Sequence, residues 1–94
     1  MANCMDIERF HEGLIKNLSK ISDDLDVNLS SLNKFDLIKE LEKTVKSEVI
    51  LNNVFLTSQL MNNLDQKEKA RYLILKTKRL RKEILDAINR KLIY

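Results

Sequence analysis

Glycine and proline are almost absent from this chain: one Gly and no Pro occur in 94 residues. β-Sandwiches and barrels turn often, and their turns consume Gly, Pro and Asn-Gly pairs. The chain carries none of these signals, while 44% of its residues are apolar and 33% are charged. That balance is too apolar for a disordered segment and is typical of amphipathic helices. The sequence therefore predicts one all-α domain over residues 1–94.

Two long helices are predicted in the second half of the chain, at about 34–62 and 66–92. Each begins with a polar residue followed three positions later by an acidic one, which is the pattern of a helix N-cap. The two caps are Asn33 with Asp36 and Asp65 with Glu68. Because few residues separate the helices, we expect them to fold back as an antiparallel hairpin.

The first half of the chain predicts weaker helices that pack onto this hairpin. A helix over 4–20, with Asn3 or Asp6 able to cap its start, places one apolar residue per turn on a single face. These residues are Ile7, Phe10, Leu14 and Leu18. Residues 22–32 fit either a short helix or an alternating strand, and we favour the helix because no partner strand is visible. The result is a small bundle of three to four helices.

The densest apolar run, Val49–Met61, is apolar on two sides when drawn as a helix. If the other helices cover both sides, the run is simply core. If they do not, the uncovered side is a surface for a protein partner or for self-association. We choose the second alternative as the hypothesis to test. The residues predicted to bind the partner are Val54, Phe55, Leu56, Leu60 and Met61.

Charge is distributed unevenly along the chain. Residues 1–66 hold seven Lys/Arg and eleven Asp/Glu, whereas residues 67–94 hold ten and three, which together give the net charge of +3. The basic last helix can steer an acidic protein partner. Alternatively it can lie along the phosphates of a nucleic acid. The residues predicted to make these electrostatic contacts are Lys76, Lys78, Arg79, Arg81 and Lys82.

No residue pattern predicts catalysis, a metal site or a cofactor. His11 is the only histidine and is expected on the solvated side of its helix, without convergent carboxylates. Cys4 is the only cysteine, which excludes an intramolecular disulfide and a cysteine-based zinc site. The N-terminus lacks the features of a secretory signal, and no apolar run approaches the length of a membrane span. We expect a non-enzymatic, soluble, intracellular protein, cytoplasmic by default.

Helix order and composition resemble two families. Short helices followed by two long ones, the last of them basic, are similar to flagellar export chaperones, which mask a hydrophobic segment of a partner. The size and the Lys/Asn/Leu-rich composition are similar to the small basic immunity proteins of bacteriocin producers. Either resemblance implies a helical protein that acts by protein–protein contact, as an adaptor, chaperone-like protein or regulatory subunit. Nucleic-acid binding through residues 67–91 is the alternative function, and an immunity-type bundle is the third.

Overall fold

A computed structural model describes the chain from residue 4 to residue 93, with side chains from Asp6 to Lys91. Its α-helices in this range are α1 (Cys4–Ile15), α2 (Leu18–Asp24), α3 (Lys34–Leu60) and α4 (Leu64–Ile93), with one 3-10 turn at Leu29–Ser31. The prediction of an all-α bundle built on a long helical hairpin is confirmed. The predicted cap at Asn3 and the side chains of Cys4 and Leu92 lie outside the described residues.

The hairpin turn is made by asparagines. Asn62 adopts a left-handed backbone conformation, with φ of 55°, and asparagine tolerates this conformation better than most residues. The amide of Asn63 then donates to the carbonyl of Ser58 at 2.8 Å, which closes the end of α3 in the manner of a Schellman motif. The chain reverses within three residues because this turn satisfies the last carbonyls of α3.

Of the two predicted caps on the long helices, one is confirmed and one is wrong. The side chain of Asn33 accepts a hydrogen bond from the backbone amide of Asp36 at 2.9 Å, as predicted. The second cap is Asn63 rather than Asp65, because its side chain accepts from the amide of Gln66 at 3.3 Å. The tight turn ends so early that α4 begins at Leu64, and Asp65 falls in its first turn.

The core lies between the inner faces of α3 and α4. These faces combine large apolar side chains with small ones, which lets the two helix backbones approach closely. The fully or almost fully buried residues of the hairpin are Leu37, Thr44, Ser47, Leu51, Val54, Thr57 and Ser58 in α3, and Ala70, Leu73, Thr77, Leu80, Ile84 and Ala87 in α4. Leu18, Ile21 and Leu25 extend this core from the α2 side.

The first half of the chain differs from its prediction at two places. The expected helix over 4–20 is interrupted at residues 16–17, where the side chain of Asn17 donates to the carbonyl of Gly13 at 3.1 Å. Such side-chain bonds compete with the regular helix ladder. The expected helix over 22–32 is also wrong. After α2 ends at Asp24 the chain is irregular as far as Asn28, whose side chain caps the 3-10 turn instead.

Gly13 occupies an exposed helical position that does not require a glycine. A Cβ added there would meet nothing within 4 Å, so the close helix contact that would explain a glycine is absent. We expect Gly13→Ala to raise the free energy of unfolding by about 0.5–1 kcal/mol, because alanine loses less backbone entropy on forming a helix. Urea unfolding followed by circular dichroism measures this difference. A loss of stability would contradict the assignment of Gly13 to a regular helical turn.

Candidate functional site

α3 has two apolar sides, and only one of them is used by the fold. Its inner side packs on α4 and on α1 and α2, while the opposite side carries a line of aliphatic side chains exposed to solvent. We call these five residues the outer stripe: Ile38, Val45, Val49, Leu56 and Leu60. Their exposed fractions run from 39% at Ile38 to 71% at Leu60, whereas Leu51 and Val54 on the inner side are fully buried.

The outer stripe follows the helix axis in a nearly straight line. Successive members are seven, four, seven and four residues apart, and each of these steps returns to about the same side of an α-helix. At 1.5 Å per residue the stripe is roughly 33 Å long. Such a continuous apolar line differs from the scattered exposed leucines and valines that are normal on protein surfaces.

Polar side chains border the outer stripe on both sides, and the five positions of the stripe itself are all aliphatic. The flanking positions at the helical angles next to the stripe are Lys34, Glu42, Asn52, Asn53 and Gln59. α3 as a whole contains four lysines and four acidic residues, so its own net charge is zero. α4 is different, with ten Lys/Arg against four Asp/Glu.

The five predicted partner-binding residues do not share one surface. Leu56 and Leu60 belong to the outer stripe, and Met61 is half-buried at the end of α3. Val54 is fully buried in the core, so its assignment to a partner surface is wrong. Phe55 is half-buried against the core, and its ring lies 5.5 Å from the ammonium of Lys67.

Three members of the stripe were missing from the predicted binding residues, namely Ile38, Val45 and Val49. The signal for them was present in the sequence, because their spacing continues the line of Leu56 and Leu60 toward the start of the helix. These three residues were not chosen because the prediction was based on the residues that are most densely apolar, which follow Val49. Once α4 is seated on Leu51 and Val54, the opposite side of α3 is necessarily this stripe.

Two of the five residues predicted to make electrostatic contacts are already paired with acidic residues of the same chain. The Lys76 ammonium donates to the Asp26 carboxylate at 2.9 Å. This hydrogen bond raises the pKa of Lys76 above its ordinary value of 10.5. Arg81 pairs with Glu48 of α3. Lys78, Arg79 and Lys82 are exposed on the outer side of α4.

His11 is buried rather than solvated, which corrects its prediction. It is only 2% exposed, and its Nδ1 lies 2.6 Å from the hydroxyl of Thr57. Because that hydroxyl can donate to the carbonyl of Asn53 at 2.9 Å, the consistent arrangement has Nδ1–H donating to Thr57. The Nε2 atom of His11 and the hydroxyl of Ser58 are buried without hydrogen-bond partners. The hydrogen bond between His11 and Thr57 holds α1 against α3.

A cleft between α2 and α3 is lined by charged side chains. Its volume is about 320 Å³, and Lys20, Lys43 and Lys46 stand around it with Asp24. All three lysines are exposed, and Lys43 is bonded to Glu40 at 3.2 Å. Exposed charges of this kind contribute little binding energy.

Between residues 4 and 93, no helix is both long enough and apolar enough to cross a membrane. Among the side chains described there, no three or more of the His, Cys, Asp and Glu residues are grouped so that they could hold a metal ion.

Comparison of the chain with protein-family models, with curated proteins and with solved structures gave no match. The resemblances to flagellar export chaperones and to immunity proteins therefore stay predictions.

The contact between His11 and Thr57 gives a prediction about stability. We expect Thr57→Val to lower the free energy of unfolding by about 1–3 kcal/mol, because it leaves both ring nitrogens of His11 buried without partners. Thr77→Val is the matched control, since Thr77 is also buried but its hydroxyl donates only to the Leu73 carbonyl of its own helix. Urea unfolding of both variants is the measurement. If both variants lose the same free energy of unfolding, the hydrogen bond between His11 and Thr57 does not contribute to stability.

Proposed function

We propose that the chain is a non-enzymatic protein–protein interaction module that binds its partner through the outer stripe of α3. The single observation that carries this proposal is the exposure of five aliphatic side chains in one line, on a helix whose other side already forms the core. A continuous apolar line of this kind marks a contact surface on a soluble protein. An adaptor, a chaperone-like protein or a regulatory subunit would each use such a surface.

The energetics support a contact centred on the stripe. Covering a half-exposed valine or leucine removes apolar surface from water and contributes about 1 kcal/mol per side chain. Five such side chains in line can offset much of the entropy that association costs. The helix that carries them is held by its caps and by α4, so little additional ordering is needed on binding. Val49, the middle member of the exposed line, is the expected energetic centre.

A photo-reactive benzoylphenylalanine at Leu56 tests the proposal directly. We expect irradiation of intact cells to give a discrete adduct, because Leu56 would lie against its partner there. The matched control carries benzoylphenylalanine in place of Leu75. This residue lies on α4 and is 58% exposed, compared with 56% for Leu56. Adduct mass is read on denaturing gels and by mass spectrometry. Absence of any adduct at Leu56, or equal adducts at both positions, would contradict the proposal.

Nucleic-acid binding through α4 is the second candidate function. It is favoured by the exposed cations Arg71, Lys78, Arg79 and Lys82 on the outer side of this helix. Tyr72 is also exposed there, at 64%, and shares a side with Arg79. The cations can contact phosphates, and the tyrosine ring can stack on a base. Arg81, which pairs with Glu48, is not part of this surface.

Charge reversal separates this second function from the first. If α4 binds nucleic acid, the triple variant Lys78→Glu, Arg79→Glu, Lys82→Glu abolishes a gel shift that weakens steeply with salt. The triple variant Lys20→Glu, Lys43→Glu, Lys46→Glu removes the same number of exposed cations elsewhere and is the control. A shift that both variants reduce equally reflects net charge alone. No shift with the native chain at low salt would exclude this function.

A further inference from the structure

We infer that the partner on the outer stripe is a second copy of this chain, whose α3 packs antiparallel to the first across a two-fold axis that passes the stripe at the level of position 47. This inference rests on the proposed function and names the partner.

The spacing of the first four members of the stripe reads the same in both directions. Ile38, Val45, Val49 and Leu56 are separated by seven, four and seven residues, which is symmetric about position 47. A helix reversed about that position places its apolar residues against those of the original. Ile38 then faces Leu56 of the second copy, and Val45 faces Val49 of the second copy. Self-complementarity of one patch is what a two-fold interface requires.

The same register covers two of the most exposed large apolar side chains. Leu60 is 71% exposed at the end of α3, and Phe35 is 76% exposed at its beginning. Reversal about position 47 brings Leu60 to the level of Phe35 of the second copy. Helical angles place the two residues on the same flank of the stripe. One register thus covers the four symmetric positions and both exposed ends.

The charges that border the stripe are compatible with the antiparallel arrangement. In the antiparallel register, Lys34 lies beside Gln59 of the second copy and Glu42 beside Asn53 of the second copy. Amide side chains can hydrogen-bond to either charge.

Net charge and size also favour α3 as the self-association surface. α3 carries no net charge, whereas α4 carries an excess of cations that would repel its own copy. The molecule measures 54 × 22 × 18 Å, so a lengthwise contact along one side has room for the ~800 Å² that each partner contributes to a standard interface.

Disulfide trapping tests the register. Two single-cysteine chains are prepared on a Cys4→Ser background, one with Ile38→Cys and the other with Leu56→Cys, and they are mixed under mild oxidation. We expect a mixed disulfide between the two chains. Neither chain alone should cross-link efficiently, because like positions would be roughly 27 Å apart along the axis. Efficient disulfides within each chain type and none between them would indicate a parallel pair and overturn the inference.

The mass of the protein in solution tests whether the partner is a second copy of the chain. We expect sedimentation equilibrium of the native chain to give a dimer, and Val49→Asp to raise its dissociation constant at least 100-fold, because the substitution acts twice in a two-fold interface. Leu75→Asp, on an equally exposed side chain of α4, should leave the dimer unchanged. Circular dichroism checks that both variants remain helical. A dimer that Val49→Asp does not weaken would overturn the inference.

The two proposals fail in different ways. A monomeric native chain whose Leu56 photo-adduct contains a different protein would overturn self-association and leave the interaction module intact. A monomeric chain without an adduct would overturn both. An adduct of twice the chain mass, together with the mixed disulfide, supports both.

Discussion

The packing of α4 against one side of α3 is the contact on which the remaining structure depends. Small residues such as Ser47 and Ala70 on the inner faces let the two helices lie close together, and Leu37, Leu51 and Ile84 fill the space between them. The Arg81–Glu48 ion pair and the Lys67 ammonium over the Phe55 ring bridge the two helices at separate levels. This seam orients α3, and therefore determines which of its two apolar sides remains in solvent.

α1 is attached to the hairpin in a different way from α4. Its side chains Leu14 and Ile15 reach the edge of the core, but among the side chains of α1 from Asp6 to Ile15 the buried contact is the polar one between His11 and Thr57. A buried hydrogen bond gives a small net energy but penalises every alternative position of the helix, since displacement would leave both groups unpaired. This pair therefore helps to specify the position of α1.

The long helices could be predicted from the sequence, because their apolar periodicity and the cap at Asn33 are local signals. The inner face of α4, from Ala70 to Ala87, also follows directly from its spacing. What local signals do not contain is which of two apolar sides a partner helix will choose, and this is why Val54 was assigned to the surface. The burial of His11 was missed for the same reason, since its partner Thr57 is distant in sequence. The irregular segment at 25–28 replaced a predicted helix because its acidic and asparagine side chains favour capping and turn conformations.

The two sides of α3 repeat with different periods. Buried positions recur every seven residues, at Leu37, Thr44, Leu51 and Ser58. Exposed positions recur every eleven residues, at Ile38, Val49 and Leu60 and again at Val45 and Leu56. A seven-residue repeat drifts around a helix in the sense that produces a left-handed supercoil, and an eleven-residue repeat drifts in the opposite sense. A helix lying along the outer stripe must therefore cross α3 with the opposite handedness from a partner that follows the seven-residue repeat of the inner side.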